Sequence, residues 1–159
     1  MFKLIKNARF SSDTWKTVTL TGRETPLNVR LPVGPLLVPL SVWQARRAEL
    51  IHREYEHGWA LGIWLANAQE AHAIEQDIDD FTVIAVEFDK PASSYSTARL
   101  LRERFGYRGE LRASGTIPDD QAAYLYQAGY DAVAGNNTDV ISSNWFNFNQ
   151  PSGLRQAAG

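Results

Sequence analysis

The sequence predicts an α/β fold, a mostly parallel sheet of about five strands with flanking helices. Three observations carry this. Short apolar runs recur along the chain, each suited to a strand buried on both faces; polar stretches of helical spacing alternate with them; and Gly, Pro or Asn stands near most junctions. Alternating strands and helices with short connections are the pattern of parallel strands joined by crossovers. Two windings satisfy it, an open flavodoxin-like sheet and half of a (β/α)8 barrel, because periodicity carries no strand order. A length of 159 residues fits a single α/β domain over 1–159.

Residues 1–31 read as a short β lead-in, with Val18, Leu20, Val29 and Leu31 near the turn signals Ser11-Ser12-Asp13 and Thr21-Gly22-Arg23. The run from Val33 to Leu40, bounded by prolines, reads as the first buried strand. A helix follows. Ser41 and Gln44 form a capping-box pattern, Trp43, Leu50 and Ile51 recur at near-helical spacing, and His57-Gly58 provides a stop. The cycle repeats with a strand from Trp59 to Leu65, a polar helix from Asn67 to Ile78 and a strand from Phe81 to Phe88. A helix from about Ser94 to Phe105 turns Leu100 and Leu101 inward and closes at Gly106, before a strand from Glu110 to Ser114. Thr116 is placed to cap one more helix, with Pro118 and Asp119 in its first turn, running to Ala128. Tyr130 to Ala134 is the last strand, and the tail 136–159, with Trp145, Phe146 and Phe148 among asparagines, reads as a flap over the core.

Composition excludes several chemistries. With no cysteine there is no disulfide, thiolate zinc site, cysteine-ligated cluster or thiol nucleophile. Lys3 and Lys6 interrupt the apolar residues of the first segment, so it predicts neither a signal-peptide core nor a membrane span, and the expected location is cytoplasmic. The net charge of −2 conceals blocks: residues 1–53 are basic, 54–89 hold nine acids and no Lys or Arg, and 90–112 are basic again. Such blocks give either patches that steer a protein or an anionic ligand, or solvated helix faces folding back on one another. An acidic pI near 5.9 and a basic stretch without stacking aromatics argue against nucleic acid.

In parallel α/β sheets ligands bind beyond the carboxyl ends of the strands, so strand ends and first helical turns are where chemistry is sought. There stand Glu87, Asp89 and Lys90, then Ser93, Ser94, Tyr95 and Ser96, with Arg99 a turn further. Hydroxyls and an arginine at a helix N-terminus suit a phosphate or sulfate, although Ser94 and Ser96 serve equally as caps. No glycine-rich phosphate loop occurs. Glu87, at the end of a buried strand, is either half of an ion pair with Arg112 or an acid/base group at an open mouth. Asp119, Asp120 and Gln121 suit a cation, a substrate hydroxyl or a helix start. His52, His57 and His72 have no metal-ligand spacing, and no G-x-S-x-G elbow is present. These readings predict no metal and no cofactor, and assign no catalytic residue.

The block Tyr95-Ser96-Thr97-Ala98-Arg99-Leu100-Leu101-Arg102-Glu103-Arg104-Phe105-Gly106-Tyr107-Arg108-Gly109-Glu110-Leu111-Arg112-Ala113, with Asp120-Gln121, Leu31-Pro32-Val33-Gly34-Pro35 and Val38-Pro39-Leu40, resembles the bacterial domain of unknown function 934 over roughly residues 30–135. The resemblance implies an accessory protein of assimilatory sulfate or sulfite reduction, a family labelled as probable oxidoreductase, with sulfite reductase or phosphoadenosine phosphosulfate reductase as partner and a homo-oligomer allowed. No cofactor motif in the chain accounts for an oxidoreductase. Two departures are visible: Pro91-Ala92-Ser93-Ser94 stands where the family pattern has Asp-Gly-Arg-Gly, and Gly115-Thr116-Ile117 where it has Gly-Asp-Val. If those loops hold a ligand, the departures imply weakened or divergent activity. Ser94, Tyr95, Ser96, Arg99, Arg112, Asp120 and Gln121 are the candidates for binding a small anion, in a degenerate site if the accessory role is not the function. Glu87 is the candidate acid/base or ion-pair residue.

Overall fold

Every second residue of a strand faces the same side of its sheet, and in this chain that alternation separates two unlike surfaces. A computed structural model describes residues 3–6, 9–12 and 14–134; the predicted aromatic tail lies outside them. The strands are β1 (Lys3–Lys6), β2 (Arg9–Ser12), β3 (Lys16–Thr17), β4 (Leu36–Pro39), β5 (Leu61–Leu65), β6 (Val83–Glu87), β7 (Glu110–Ser114) and β8 (Ala132–Ala134). The helices are α1 (Leu40–His57), α2 (Ala68–Ala73), α3 (Pro91–Arg99) and α4 (Ala122–Ala128).

Strands β3 to β8 are parallel and lie side by side in chain order, and β1 and β2 extend the β8 edge antiparallel. This consecutive order is the winding of half a (β/α)8 barrel, not of a flavodoxin sheet, and the sheet is curled accordingly. Six parallel strands stand where about five were expected, because the two-residue β3 pairs Lys16 with Leu36 and Thr17 with Leu37. The lead-in therefore contributes both kinds of pairing.

Register rows show the two surfaces. Val38, Ile63, Ile84 and Leu111 align across β4 to β7 and belong to the large core, which α1 fills with Val42, Trp43 and Leu50 and α3 with Ala98. Burying such side chains contributes about 1.5–3 kcal/mol each. On the other face, Trp64, Ala85, Arg112 and Ala132 align. Leu37, Val83 and Ala85 form a small second cluster there with Trp15 and Trp64. The Trp64 indole donates to the Val18 carbonyl at 3.0 Å, holding the lead-in against this face.

Helix ends follow local chemistry, with three departures from expectation. Gly58 adopts φ 69° and its N–H bonds the Glu54 carbonyl, the expected stop of α1. The capping box at Ser41 is not formed. Pro39 is the N-cap, with no side-chain cap bond, so the helix starts at Leu40 and Ser41 is already inside it. The helix expected from Asn67 to Ile78 is shorter: Asn67 caps α2 by accepting from the Glu70 N–H at 3.1 Å, and Glu75–Asp80 continues as a 3-10 turn. Thr116 caps nothing, since a 3-10 turn at Asp119–Gln121 leads into α4. Beyond α3, Leu100–Arg104 widens into a π turn, and Leu101 is buried as predicted.

Some of the charge blocks fold onto each other. Arg47 of the basic segment bonds Asp77 at 2.5 Å and lies 3.9 Å from Asp80, and the Trp43 indole donates to Asp77 at 3.2 Å. Burial, reinforced by the Asp80 carboxylate, raises the Glu54 pKa.

Candidate functional site

Two connections leave the carboxyl ends of neighbouring strands and create a small recess. After β5 the chain passes through Ala66 and Asn67 into α2; after β6 it passes through Phe88, Asp89 and Lys90 into α3. The Phe88 N–H reaches across to the Ser114 carbonyl at 2.8 Å, prolonging the ladder beyond β6. Pro91 occupies the start of α3, where its fixed φ favours the helix and its missing N–H is no loss. Lys90 is the N-cap and makes no side-chain cap bond. Ser94 and Ser96 are therefore not caps, because the proline starts the helix earlier than the serine pattern suggested.

Ser94 is turned inward as a result. It is 2% exposed, its N–H donates to the Lys90 carbonyl at 3.0 Å, and its carbonyl accepts from the Tyr130 hydroxyl at 2.8 Å. Its backbone is thereby engaged on both sides. The Ser94 Oγ, by contrast, is buried with no hydrogen-bond partner, an arrangement that costs about 1–3 kcal/mol. Ser94 lines a cavity of about 60 Å³ together with Asn67, Glu87, Asp89, Ser93 and Thr97. Thr97 is satisfied through its own bond to the Ser93 carbonyl at 2.8 Å. The Asn67 carbonyl oxygen is engaged in capping α2, and Glu70 accepts from the Ala66 N–H at 3.0 Å.

The remaining candidates fall into other places. Tyr95 and Gln121 do meet: the Tyr95 hydroxyl donates to Gln121 Oε1, and the Tyr95 ring lies 6.5 Å from that of Tyr124. Burial raises the Tyr95 pKa, with Tyr124 and Asp120 adding to the effect. Asp120, Ser96 and Arg99 are exposed. Arg112 stands apart. It is mid-strand in β7, 2% exposed, and shares the Trp64–Ala85–Ala132 row on the face opposite α3. Its Nε donates to Glu110 at 2.6 Å, and its guanidinium lies 5.9 Å from the Trp15 ring. Arg112 is thus bonded to Glu110 and not to Glu87. Glu110, two residues before it, shares its face, and Glu87 lies on that face too but aligns with Ser114, two residues further along the strand.

Other residues matter in ways that the sequence pattern hid. Arg102 reads as one more charge in a basic run, yet it donates to the carbonyls of Gly129, Tyr107 and Gly109 and to Asp131 at 2.6 Å. Asp131 also accepts from the Leu111 N–H, so the pair clamps the start of β7 to β8. A second, wider recess of about 450 Å³ lies at the amino ends of β6 and β7, bordered by Trp15, Thr82, Arg108, Glu110 and Asp131. Among the described residues no group of three or more His, Asp or Glu side chains is placed to hold a metal ion.

Residues 62–152 match the family described as bacterial protein of unknown function (DUF934). That span begins in β5 and contains both the Ser94 cavity and the Tyr95–Gln121 pair. No curated protein and no solved structure matches the chain.

Proposed function

The chain belongs to the DUF934 family of bacterial proteins, and we propose that it is a small-ligand-binding protein whose site is the cavity at the carboxyl ends of β5 and β6. The unpartnered, buried Ser94 hydroxyl carries this reading. A buried hydroxyl without a bond is a standing penalty, and a ligand group that bonds it removes the penalty. The position is the one at which parallel α/β sheets gather their ligands. The test is a thermal-shift series with inorganic phosphate, sulfate and adenylyl sulfate, each with and without MgCl2. The expected outcome is a rise in Tm in at least one arm that Ser94→Ala abolishes; a ligand at a hundred times its Kd stabilises by about 2.7 kcal/mol. No rise in any arm, or an equal rise in the variant, refutes the reading.

A second reading makes the chain an accessory protein of assimilatory sulfate or sulfite reduction that works by binding the reductase machinery. It is supported by the resemblance of the Tyr95–Ala113 block and by exposed charge of both signs: Glu56, Glu75 and Asp79 in the acidic segment, Arg99, Arg104 and Arg108 in the basic one. Such surfaces steer partners and weaken with salt. Co-purification with sulfite reductase at low but not high ionic strength is expected. Its absence at both low and moderate salt removes this reading.

A further inference from the structure

We infer that the Ser94 cavity takes a tetrahedral oxyanion, seated against the amino end of α3; this rests on the ligand-binding reading above and names its ligand class. Two independent observations point there. The first is a helix end without a cap. α3 runs for nine residues from Pro91, its N-cap Lys90 makes no side-chain bond, and its first turn holds no acidic residue. The N–H groups of Ala92 and Ser93 have no partner within the helix, so the positive end of the helix meets whatever occupies the recess that Ser93 and Ser94 line. The second is the Ser94 hydroxyl, buried in that recess without a hydrogen-bond partner. Side chains of a helix lean toward its amino end, which aims this hydroxyl at the same space.

This end offers a ligand donors. The Thr97 hydroxyl is committed to the Ser93 carbonyl and Asn67 Oδ1 to the Glu70 N–H. Glu87 and Asp89 border the opening but are exposed. Glu87 lies two residues beyond Ala85, on the face opposite α3, with its Cγ beside Gly115, and solvent screens both charges. Lys90, exposed at the N-cap, adds positive charge to the same helix end. The ligand that fits carries several acceptor oxygens and negative charge in a small volume. An oxyanion does so, with oxygens for the free N–H groups of the first turn and one for Ser94 Oγ, which gains the bond that it lacks. The cavity, at about 60 Å³, is several times the roughly 10–15 Å³ that one water requires, so it admits the tetrahedral head and leaves any larger substituent outside.

Nitrogen-15 NMR titration of the whole chain, with EDTA present, tests this with inorganic phosphate, with sulfate, and with acetamide as a small neutral probe. The expected result is saturable movement of the Ala92, Ser93 and Ser94 amide resonances with phosphate or sulfate and none with acetamide; the arm with the lower Kd identifies the oxyanion. Ser94→Ala lowers that affinity at least tenfold, the loss of one hydrogen bond to a charged group. Ser93→Asp, at an exposed position in the first turn, sets a carboxylate where the anion sits: it raises the Tm of the ligand-free protein through the helix dipole and abolishes oxyanion binding. Oxyanion binding undiminished in both variants overturns the inference, as does movement confined to the exposed Arg99, Arg104 and Arg108. Acetamide moving the three amides while both oxyanions leave them unmoved overturns the oxyanion and keeps the cavity as a site. No movement of these amides in any arm overturns both the inference and the reading beneath it.

Discussion

Replacing Ser94 by alanine makes the ligand-free protein more stable, the reverse of what a structural serine does. The hydroxyl is buried and has no partner, so its removal recovers the desolvation penalty of about 1–3 kcal/mol. Ser94 is a helical residue of α3, where alanine is favoured over serine by a few tenths of a kcal/mol. Against this stands the space left behind. One oxygen atom of roughly 20 Å³ at about 24 cal/mol per Å³ costs close to 0.5 kcal/mol, and it opens onto a cavity that already exists. The backbone bonds from Ser94 to Lys90 and Tyr130 are untouched. The net gain is about 1–3 kcal/mol, and for a chain of this size each kcal/mol raises Tm by about 2–4 °C. Urea and thermal denaturation in ligand-free buffer measure it, with the exposed Ser93→Ala as control. A lower Tm for Ser94→Ala refutes the reasoning, because it means that the hydroxyl already has a bond and is not waiting for one.

Three further outcomes follow from the packing. Arg102→Ala strips a cation from three carbonyls and from Asp131; both side chains are partly exposed, so the loss by urea denaturation is about 2–4 kcal/mol and not the larger figure for a fully buried pair. Gly62→Ala places a methyl 2.6 Å from Leu37 Cδ2 and 2.8 Å from the Val83 carbonyl, and destabilises by about 1–3 kcal/mol through overpacking; unchanged stability means that Trp15 and Leu37 give way freely. Burial raises the pKa of both Tyr107 and Tyr130. For each, the folded state holds a proton that the unfolded state releases above about pH 10. The associated stability is therefore complete below pH 10 and falls by about 1.4 kcal/mol per tyrosine per pH unit as pH rises toward the raised folded values. In the Tyr107→Phe, Tyr130→Phe double variant the decline with pH between 11 and 12 is reduced by about twice that amount, and a slope equal to that of the wild type contradicts it.

The strands of the α/β fold were legible wherever burial alone decides the conformation. β7 occupies the range read for it, and β6 the centre of its apolar run, because both lie inside the sheet with their central residues buried, although one face of β7 carries Glu110, Arg112 and Ser114. Strand order was not legible, since alternation fixes which side a residue faces but not which strand lies beside it. The two-residue β3 was hidden for a different reason: Lys16 and Thr17 are exposed and carry no hydrophobic signature, and only their pairing with β4 makes them a strand. Caps failed where proline intervened. At Pro39 and again at Pro91 the helix begins on the imino acid's terms, ahead of the serines that mimic a cap.

The candidate site divides along the same physical lines. Arg112 and the α3 residues were grouped because all lie near the sheet in a parallel fold, but a strand residue two positions from Glu110 must share its face. The helix that follows β6 packs on the other face, with Ala98 against the large core. No spacing rule brings Arg112 to α3 across a sheet whose face carries Trp15 and Trp64. Ser94 has two readings in the sequence, an anion-binding hydroxyl and a helix cap, and the structure removes the cap. Read as a cap, it would hold its hydroxyl on its own backbone; placed inside the first turns by Pro91, it faces inward with that hydroxyl free. One of the two departures from the family pattern expected from the resemblance, Pro91-Ala92-Ser93-Ser94, falls on this same turn.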